Sequence, residues 1–332
     1  MKVVFPLIKA DSGSDVWTYN LAGALNKKGI EIEIKKFPHN YQYYPYFLSW
    51  KKSTFKADIV HANSYSAFAF AGQIPMVTTA HHIVHDPLFA IYQTLPQKIF
   101  HRMIFFFEQK SFKSAQKITA VSQYTSQKIK EFFGCPATVI HNGVDTHLFR
   151  PQKPENNLLD IDPTKIKLFF VGNMSKRKGF DLLEPIMDQL GPDYILISTS
   201  GLRENFKTIK NNIFVVGSLN DQELADFYNY CDIFLSPTRL EGFGLTVAEA
   251  MACGKPIITT NCSALPEIVI EGQSGYLCKM DSINHFVERI KTLGENPALQ
   301  RRMGEFNRAR VEENFSLEKM AQQYIDLYQS IL

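Results

Sequence analysis

Short apolar runs rich in β-branched residues alternate along this chain with longer amphipathic runs. This alternation predicts βαβ units, in which a helix connects two parallel strands. The chain has 332 residues, more than one hydrophobic core of ordinary size accommodates, so two domains are expected. The predicted fold class is therefore α/β, with two Rossmann-like, doubly wound parallel-sheet domains. The predicted strands are residues 2–8, 30–36, 58–64, 76–81, 117–122, 138–142, 166–172, 194–199, 213–216, 232–236, 256–260 and 275–278.

The clearest predicted helix spans residues 14–28. Leu21, Ala24 and Leu25 share one face of it, and Gly29 lies where a glycine commonly ends a helix. From residue 281 the pattern is helical to the end of the chain, with breaks near Pro297 and at residues 314–316.

Residues 150–157 are polar, contain two prolines and show no periodicity, which is typical of a linker. The predicted domains are therefore residues 1–150 and 151–315, followed by a last helix over residues 316–332.

Composition excludes several classes of protein. The net charge of +3 is too small to predict a nucleic-acid partner. Five cysteines form no Cys-x-x-Cys pair, so neither a disulfide framework nor a zinc site is indicated. No signal peptide precedes the first strand, and no apolar run approaches the roughly 18 residues that span a bilayer. A cytoplasmic protein with reduced thiols is expected.

Parallel sheets bind ligands beyond the carboxyl ends of their strands, which gives a list of candidate residues. His61, His81 and Asn142 lie at predicted strand ends, as do residues 172–178 and 241–244.

The segment from Ser236 to Gly254 contains a strand end, a loop and the start of a helix near Leu245. Gly242 and Gly244 allow the backbone to approach a ligand, and a helix N-terminus favours an anion such as a diphosphate. Glu241 on the loop and Glu249 in the helix can accept hydrogen bonds from hydroxyls beside that phosphate. A sugar and a ribose would suit these carboxylates.

A second segment, residues 171–179, follows an apolar strand and contains Lys176, Arg177 and Lys178. Cations at this position can stabilise the charge that develops on a departing diphosphate. The alternative interpretation is a solvated basic turn, as is common for a run of charges.

Taken together, four segments resemble the retaining glycosyltransferases of family 4. Residues 139–151 resemble the family's interdomain segment, and residues 170–179 its first donor-phosphate motif. Residues 216–219 resemble its nucleobase loop, and residues 241–249 match its Glu-x7-Glu motif. The resemblance implies the GT-B fold, in which two domains face a cleft. Residues 1–150 would bind the acceptor, residues 151–315 the nucleotide-sugar, and the last helix would cross back to the first domain.

The resemblance also implies roles for single residues in the second domain. Lys178 would bind the diphosphate, Glu241 the transferred sugar and Glu249 the ribose hydroxyls. Many family members have arginine where this chain has Asn173, so Arg177 is expected to be the second cation. The remaining donor contacts are expected from backbone groups of Gly172, Asn173, Gly217, Leu219, Phe243, Gly244 and Leu245.

In the first domain the resemblance assigns His81 to the reaction centre, and Gly13 to a loop that approaches the donor. The alternative for the loop is an ordinary strand-to-helix turn capped by Ser12 or Ser14.

The implied reaction transfers a sugar from a nucleotide diphosphate-sugar, such as a UDP-, GDP- or ADP-sugar, to an acceptor hydroxyl. Anomeric configuration would be retained, as by a hexosyltransferase of polysaccharide biosynthesis. The acceptor would be a glycan or a lipid-linked glycan, and no cofactor or metal is expected. Nearby alternatives are a GT-B sugar phosphorylase, an epimerase or a catalytically silent sugar-nucleotide binder.

Two other interpretations are weaker. His81, His82, His85 and Asp86 suggest a metal site but lack standard zinc spacing. The Gly242-x-Gly244 pattern suggests dinucleotide binding, but it lacks a third glycine and the acidic residue expected after the next strand.

Aromatic residues and lysines alternate in residues 41–52, and residues 98–117 combine Phe105, Phe106 and Phe107 with basic residues. These segments suggest peripheral association with the inner face of a membrane that holds the acceptor. The alternative is aromatic core packing beside a solvated helix face.

Overall fold

The protein is described by a computed structural model that covers residues 1–10, 12–72, 74–93, 95–153, 158–200, 208–210 and 212–332. The described residues divide into two compact units. Unit 1 comprises Met1–Gly143 and Leu317–Leu332, and unit 2 comprises Val144–Ser316.

Unit 1 is built on a six-stranded parallel sheet with the strand order β2-β1-β3-β4-β5-β6. Helices connect successive strands, because parallel neighbours require a crossover. The elements in chain order are β1 (Lys2–Ile8), α1 (Gly13–Lys27), β2 (Glu31–Phe37), β3 (Ile59–Asn63), β4 (Met76–Ala80), α2 (Pro87–Ala90), α3 (Leu95–Ser114), β5 (Lys117–Ala120), α4 (Gln123–Phe133) and β6 (Thr138–Val139). Three short 3-10 helices lie at His39–Gln42, Pro45–Thr54 and Ala67–Phe70.

Unit 2 is built on a seven-stranded sheet with the order β13-β12-β11-β7-β8-β10-β9. All neighbours are parallel except β10 and β9 at one edge. The elements are β7 (Ile166–Phe170), the 3-10 helix Lys176–Lys178, α5 (Phe180–Leu190), β8 (Tyr194–Ser198), β9 (Thr208–Lys210), β10 (Ile213–Val215), α6 (Asp221–Tyr230), β11 (Ile233–Ser236), α7 (Leu245–Ala252), β12 (Ile257–Thr260), α8 (Leu265–Ile268), β13 (Gly275–Cys278), α9 (Ile283–Gly294) and α10 (Pro297–Asn314).

The last helix, α11 (Leu317–Gln329), belongs to the core of unit 1. Its Tyr324 and Tyr328 are fully buried, and the Tyr328 hydroxyl lies 2.6 Å from His61 Nδ1 on β3. Just before this helix, the N–H of Val144 donates to Phe315 O (2.8 Å) within unit 2.

Residues 144–153 pack with unit 2. Arg308 donates to the carbonyl oxygens of Thr146 and Phe149, and the N–H of Gln152 donates to Asn229 Oδ1 (2.9 Å). The first part of the expected linker is therefore bound to unit 2, and residues 154–157 of that linker lie outside the described residues.

The predicted fold class, an α/β protein with two Rossmann-like sheets, is confirmed. Several strands end earlier than predicted, because apolar residues stay buried after the strand has ended. Val121 and Ile140 are examples, at 1% and 2% exposure. Strand β9 was not predicted, since three residues are too short for a period-two pattern to be visible. Among the described residues, no helix has the length and apolarity that crossing a bilayer requires.

Candidate functional site

The candidate residues of unit 2 follow neighbouring strands. Because these strands are parallel, their carboxyl ends lie at one edge of the sheet. The residues at this edge are Gly172 after β7, Thr199 after β8, Gly217 and Leu219 after β10, Glu241 after β11 and Ser263 after β12.

The basic turn is held against the segment that follows β11. Gly179 has a φ of +74°, and a Cβ there would lie 2.0 Å from the carbonyl oxygen of Pro237. Only glycine allows this approach. Of the three cations, Lys176 is exposed, whereas the side chains of Arg177 and Lys178 are only 30% and 17% exposed. A solvated turn therefore describes Lys176 but not Lys178.

Lys178 and Glu241 form an ion pair, with 2.6 Å between Nζ and Oε1. Arg177 Nη1 lies 3.9 Å from Glu241 Oε2 and donates to Leu240 O at 2.9 Å. The carboxylate also accepts a hydrogen bond from the Thr238 hydroxyl (3.2 Å). The structure thus brings together the residues predicted to contact the sugar and the diphosphate.

Glu241 is ionised at neutral pH. Burial raises the pKa of its carboxyl group, but the charges of Lys178 and Arg177 outweigh that effect and hold the pKa below its ordinary value. Its backbone N–H donates to Ser263 Oγ (2.9 Å), which fixes the loop that carries it.

Helix α7 begins at the same edge. Gly244 is its N-cap with a φ of +104°, and a Cβ there would lie 2.9 Å from Leu265 Cδ2. The N–H groups of Val247 and Ala248 donate to Gly244 O, so those of Leu245 and Thr246 precede the helical hydrogen-bond pattern. Such an N-terminus attracts anions.

Phe243 anchors the loop before this helix. Its side chain is 3% exposed, and its ring lies 5.6 Å from that of Phe315. With the side chain in the core, its backbone stays at the sheet edge beside Gly244.

Glu249 lies inside α7 and is 6% exposed. Its Oε2 is 2.9 Å from the hydroxyl of Tyr228 on α6, which is 1% exposed. Burial raises the pKa of Glu249 to about 8; the hydrogen bond from Tyr228 opposes this shift and the charge of Asp221 adds to it.

The other predicted donor residues of unit 2 differ in their contacts. The N–H of Gly172 donates to Thr199 Oγ1 (3.1 Å), and a Cβ on Gly172 would lie 3.5 Å from Lys178 Cγ. Asn173 is exposed and accepts a hydrogen bond from the Ser175 hydroxyl (2.7 Å). Gly217 accepts from the N–H of Ser200 (3.1 Å). Leu219 is half-buried near the start of α6.

His81 belongs to unit 1 and follows β4. Its Nε2 lies 2.9 Å from Asn63 Oδ1, and its ring lies 4.7 Å from that of Trp17. Burial, aided by the charge of His82, lowers the pKa of His81 to about 3, so the imidazole is neutral at physiological pH. Since Asn63 Oδ1 accepts from Nε2, Nδ1 carries a lone pair.

Gly13 is the first residue of α1, and a Cβ there would meet no atom within 4 Å. Packing within the protein therefore does not require glycine at this position. Of the two candidate caps, Ser12 is the N-cap of α1: its backbone is extended and its carbonyl oxygen accepts from the N–H groups of Asp15 and Val16. Its side chain makes no capping hydrogen bond, and its hydroxyl donates to Asp15 Oδ1 (3.0 Å). Asp11 lies outside the described residues.

The histidine cluster considered as a metal site does not form one. Asp86 accepts hydrogen bonds from the N–H of Leu88 (2.9 Å) and from the hydroxyl of Tyr124. In the described part of the chain, no three His, Cys, Asp or Glu side chains are grouped to hold a metal ion.

Sequence reasoning missed four supporting residues: Thr199, Tyr228, Thr238 and Ser263. The position of Thr199 and Ser263 after strands was a usable signal. Tyr228 gave no such signal, because in the sequence it resembles any other apolar residue of an amphipathic helix.

Comparisons with known proteins show which families and structures this chain resembles. Residues 152–310 match the family described as glycosyl transferases group 1, and residues 32–148 match glycosyltransferase family 4. An uncharacterized glycosyltransferase of Methanocaldococcus jannaschii is 32% identical over 224 residues, which cover 66% of this chain and 60% of that protein. A GDP-mannose-dependent phosphatidylinositol monomannoside mannosyltransferase of Corynebacterium glutamicum is 31% identical, over 64% of this chain and 62% of that protein. The chain thus spans somewhat under two thirds of the length of these two relatives.

Among solved structures, HepE of Anabaena in complex with UDP-glucose superposes with a TM-score of 0.78 at 17% identity. The match covers 99% of this chain and 100% of that one. Two Rossmann-like sheets and this likeness define a protein of the GT-B fold. The chain belongs to family 4 of the glycosyltransferases.

Proposed function

We propose that this protein transfers a sugar from a nucleotide diphosphate-sugar to the hydroxyl of a glycan or lipid-linked glycan, with retention of anomeric configuration. The observation that carries the proposal is the half-buried pair of Lys178 and Glu241 beside the N-terminus of α7. Two nearby cations and a helix N-terminus suit a diphosphate, while the ionised Glu241 suits the hydroxyls of a sugar.

In the proposed reaction, the bond between the anomeric carbon and the diphosphate oxygen breaks, and its electron pair stays on the diphosphate. The acceptor oxygen bonds to the anomeric carbon, and the proton of the acceptor hydroxyl passes to the departing diphosphate. Lys178, Arg177 and the N–H groups at Gly244 and Leu245 stabilise that charge. Glu241 holds the sugar and Glu249 the ribose hydroxyls. The backbone around Gly172, Asn173, Gly217 and Leu219 borders the nucleotide.

In unit 1, the neutral His81 would accept a hydrogen bond from the sugar through Nδ1, and Gly13 would let the backbone approach the donor. Neutrality matters here, because a cationic imidazole would repel the developing positive charge on the anomeric carbon.

The proposed setting is cytoplasmic, at the inner face of a membrane, and the reaction is proposed to need no cofactor or divalent metal. The Corynebacterium glutamicum relative acts on a monoacylated phosphatidylinositol mannoside, which supports a lipid-linked acceptor.

The donor is best identified by a thermal-shift screen of UDP-, GDP- and ADP-sugars, because a ligand that binds the native state raises its melting temperature. The mannosyltransferase of Corynebacterium glutamicum is GDP-mannose-dependent, whereas the HepE structure contains UDP-glucose. The screen therefore includes donors with all three bases. We expect one base to stabilise the protein and the Lys178→Ala variant to lose that stabilisation. The absence of any shift would contradict the proposal.

The reaction is then tested with the selected donor, EDTA and candidate acceptors, with the product examined by NMR. We expect a glycoside with the anomeric configuration of the donor, formed at an unchanged rate in EDTA. Sugar phosphate formed with inorganic phosphate would indicate a phosphorylase, and an altered free sugar nucleotide would indicate an epimerase.

A further inference from the structure

Exposed apolar side chains are concentrated in two segments of unit 1. Of the twelve large apolar side chains that are exposed among the described residues, ten lie within residues 43–50 and 91–106. Single exposed apolar residues are common, but a concentrated group marks an interaction surface.

Helix α3 has two apolar faces. Phe107 and Phe112 of one face are 7% and 3% exposed and pack inside unit 1. The other face carries Leu95, Ile99, Met103 and Phe106, which are 72%, 59%, 40% and 60% exposed. At 3.6 residues per turn these four positions fall within an arc of about 80°. The outer face is therefore a continuous apolar stripe that unit 1 leaves uncovered.

The segment at residues 43–50 adjoins this helix. The ring of Tyr43 lies 5.6 Å from that of Phe100, and the ring of Tyr46 lies 5.5 Å from that of Phe107. Trp50 is 79% exposed, and its ring lies 5.6 Å from that of Phe47. We call the exposed side chains of Tyr43, Tyr44, Tyr46, Phe47, Trp50, Leu95, Ile99, Met103 and Phe106 the aromatic-apolar surface.

The exposed charges on helix α3 have one sign. Residues 95–114 are all described, and their exposed charged side chains are Lys98, Arg102, Lys110 and Lys113; the acidic Glu108 is buried. Lys110 Nζ donates to the Tyr46 hydroxyl at 2.7 Å and lies 4.8 Å from the centre of that ring. Cations and aromatics are thus interleaved.

We propose that the aromatic-apolar surface binds an anionic lipid bilayer. Leu95, Ile99, Met103 and Phe106 enter the boundary between headgroups and acyl chains, as the apolar face of an interfacial helix does. Tyr and Trp rings occupy the headgroup level, where their mixed polarity suits them. Lys98, Arg102, Lys110 and Lys113 meet the anionic headgroups.

Charge favours a bilayer over a second copy of this chain. In a two-fold symmetric dimer the same patch faces itself, so Lys98 and Arg102 would approach the matching cations of the other copy. An anionic membrane instead attracts all four cations at once.

The test is co-sedimentation with vesicles of phosphatidylcholine alone or mixed with phosphatidylglycerol. Wild-type protein is expected to bind the mixed vesicles, more weakly at high salt, and not the neutral ones. Lys98→Gln with Arg102→Gln should weaken partitioning roughly tenfold to thirtyfold, since each cation near the surface contributes about one kcal/mol. Arg301→Gln with Arg302→Gln is the matched control, because these arginines are exposed on α10 of unit 2. This control should bind as wild type does.

A second variant tests the apolar side chains of the aromatic-apolar surface. Ile99→Ser with Phe106→Ser should also lose at least about tenfold in partitioning, whereas Tyr19→Ser with Leu332→Ser, both exposed elsewhere on unit 1, should not. All four side chains are exposed, so unfolding temperatures should stay unchanged.

Tryptophan fluorescence gives a direct reading of insertion. The chain has two tryptophans, of which Trp17 is 4% exposed and Trp50 is 79% exposed. Mixed vesicles should shift the emission to shorter wavelength, and Trp50→Phe should abolish the shift.

Equal binding to both vesicle types, or wild-type binding by both surface variants, would overturn the proposal. So would a lipid-free dimer, seen by sedimentation velocity, that the Ile99→Ser and Phe106→Ser changes abolish, because it would assign the surface to a second copy. Vesicle binding is measured without donor or acceptor, so its failure would leave the proposed transfer reaction untouched.

Discussion

Glu241 and Glu249 lie eight residues apart in one loop and helix, yet their surroundings are opposite. Glu241 is paired with Lys178 at 2.6 Å, and its pKa lies below the ordinary value. Glu249 is more deeply buried beside the hydroxyl of Tyr228, and its pKa is raised to about 8. Burial alone favours a neutral carboxyl group, and a nearby cation reverses that preference. The end of the site at Glu241 is therefore charged at neutral pH, and the end at Glu249 is nearly neutral.

The largest effect is expected from Lys178→Ala, which would make the surroundings of Glu241 resemble those of Glu249. The turnover number should fall about 100-fold to 1,000-fold, because the departing diphosphate loses its closest cation. Steady-state kinetics with the selected donor measures this.

Lys176→Ala is the matched control, since Lys176 belongs to the same run but is exposed. It should retain nearly wild-type turnover. Equal losses in the two variants would mean that net charge matters and the Lys178 contact does not.

Glu249→Gln tests the other end of the site. Donor affinity should fall up to about tenfold, because an amide N–H₂ replaces a carboxyl oxygen that accepts a hydrogen bond from a ribose hydroxyl. Calorimetric titration measures this, and unchanged affinity would remove the ribose contact from the account.

The same variant should be more stable than the wild type at high pH. The carboxyl of Glu249 has a pKa of about 8 in the folded state against an ordinary value of 4.5, so the unfolded chain releases the proton first. As pH rises from about 4.5 to about 8, the wild type therefore loses stability relative to the variant, by a few kcal/mol at most. Denaturant unfolding at pH 5 and pH 8 checks this.

Glu305→Gln is the control for stability, because Glu305 is exposed on α10. Its stability relative to wild type should change little between the two pH values. If the stability of Glu249→Gln relative to wild type were also the same at both pH values, the raised pKa of Glu249 would be contradicted.

The smallest effect is expected from Tyr228→Phe. The Tyr228 hydroxyl donates a hydrogen bond to one carboxyl oxygen of Glu249. Loss of this hydroxyl should raise the donor KM about fivefold, which corresponds to one ordinary hydrogen bond, with little change in kcat. Tyr230→Phe is the control on the same helix, because that hydroxyl bonds to Leu159 O instead. A fall in kcat without a change in KM would assign Tyr228 another role.

Much of the fold could be predicted because each strand and helix has its own sequence period. The meeting of Arg177, Lys178 and Glu241 followed from one rule, that residues after parallel strands share an edge. The surroundings of Glu249 could not be predicted, because they depend on how α6 packs against α7. A cap at Ser12 could be predicted from its residue type and position, but the hydrogen bond from its hydroxyl to Asp15 Oδ1 could not.

The run of Phe105, Phe106 and Phe107 shows that the exposure of single side chains could not be predicted from the sequence either. Sequence alone marks all three as apolar, whereas the structure buries Phe107 at 7% exposure and leaves Phe106 at 60%. Which side of a helix is covered depends on its neighbours, here the 3-10 helix Ala67–Phe70, whose Phe68 ring stacks on Phe107.

In the proposed function, the carboxyl edge of the unit 2 sheet holds the diphosphate of the donor. A crystal structure with the donor selected by thermal shift tests this directly. We expect diphosphate oxygens within hydrogen-bonding distance of Lys178 Nζ and of the N–H groups at Gly244 and Leu245. We also expect the ribose hydroxyls to lie within hydrogen-bonding distance of Glu249. A donor bound elsewhere, with Lys178 still paired only to Glu241, would contradict the proposed function.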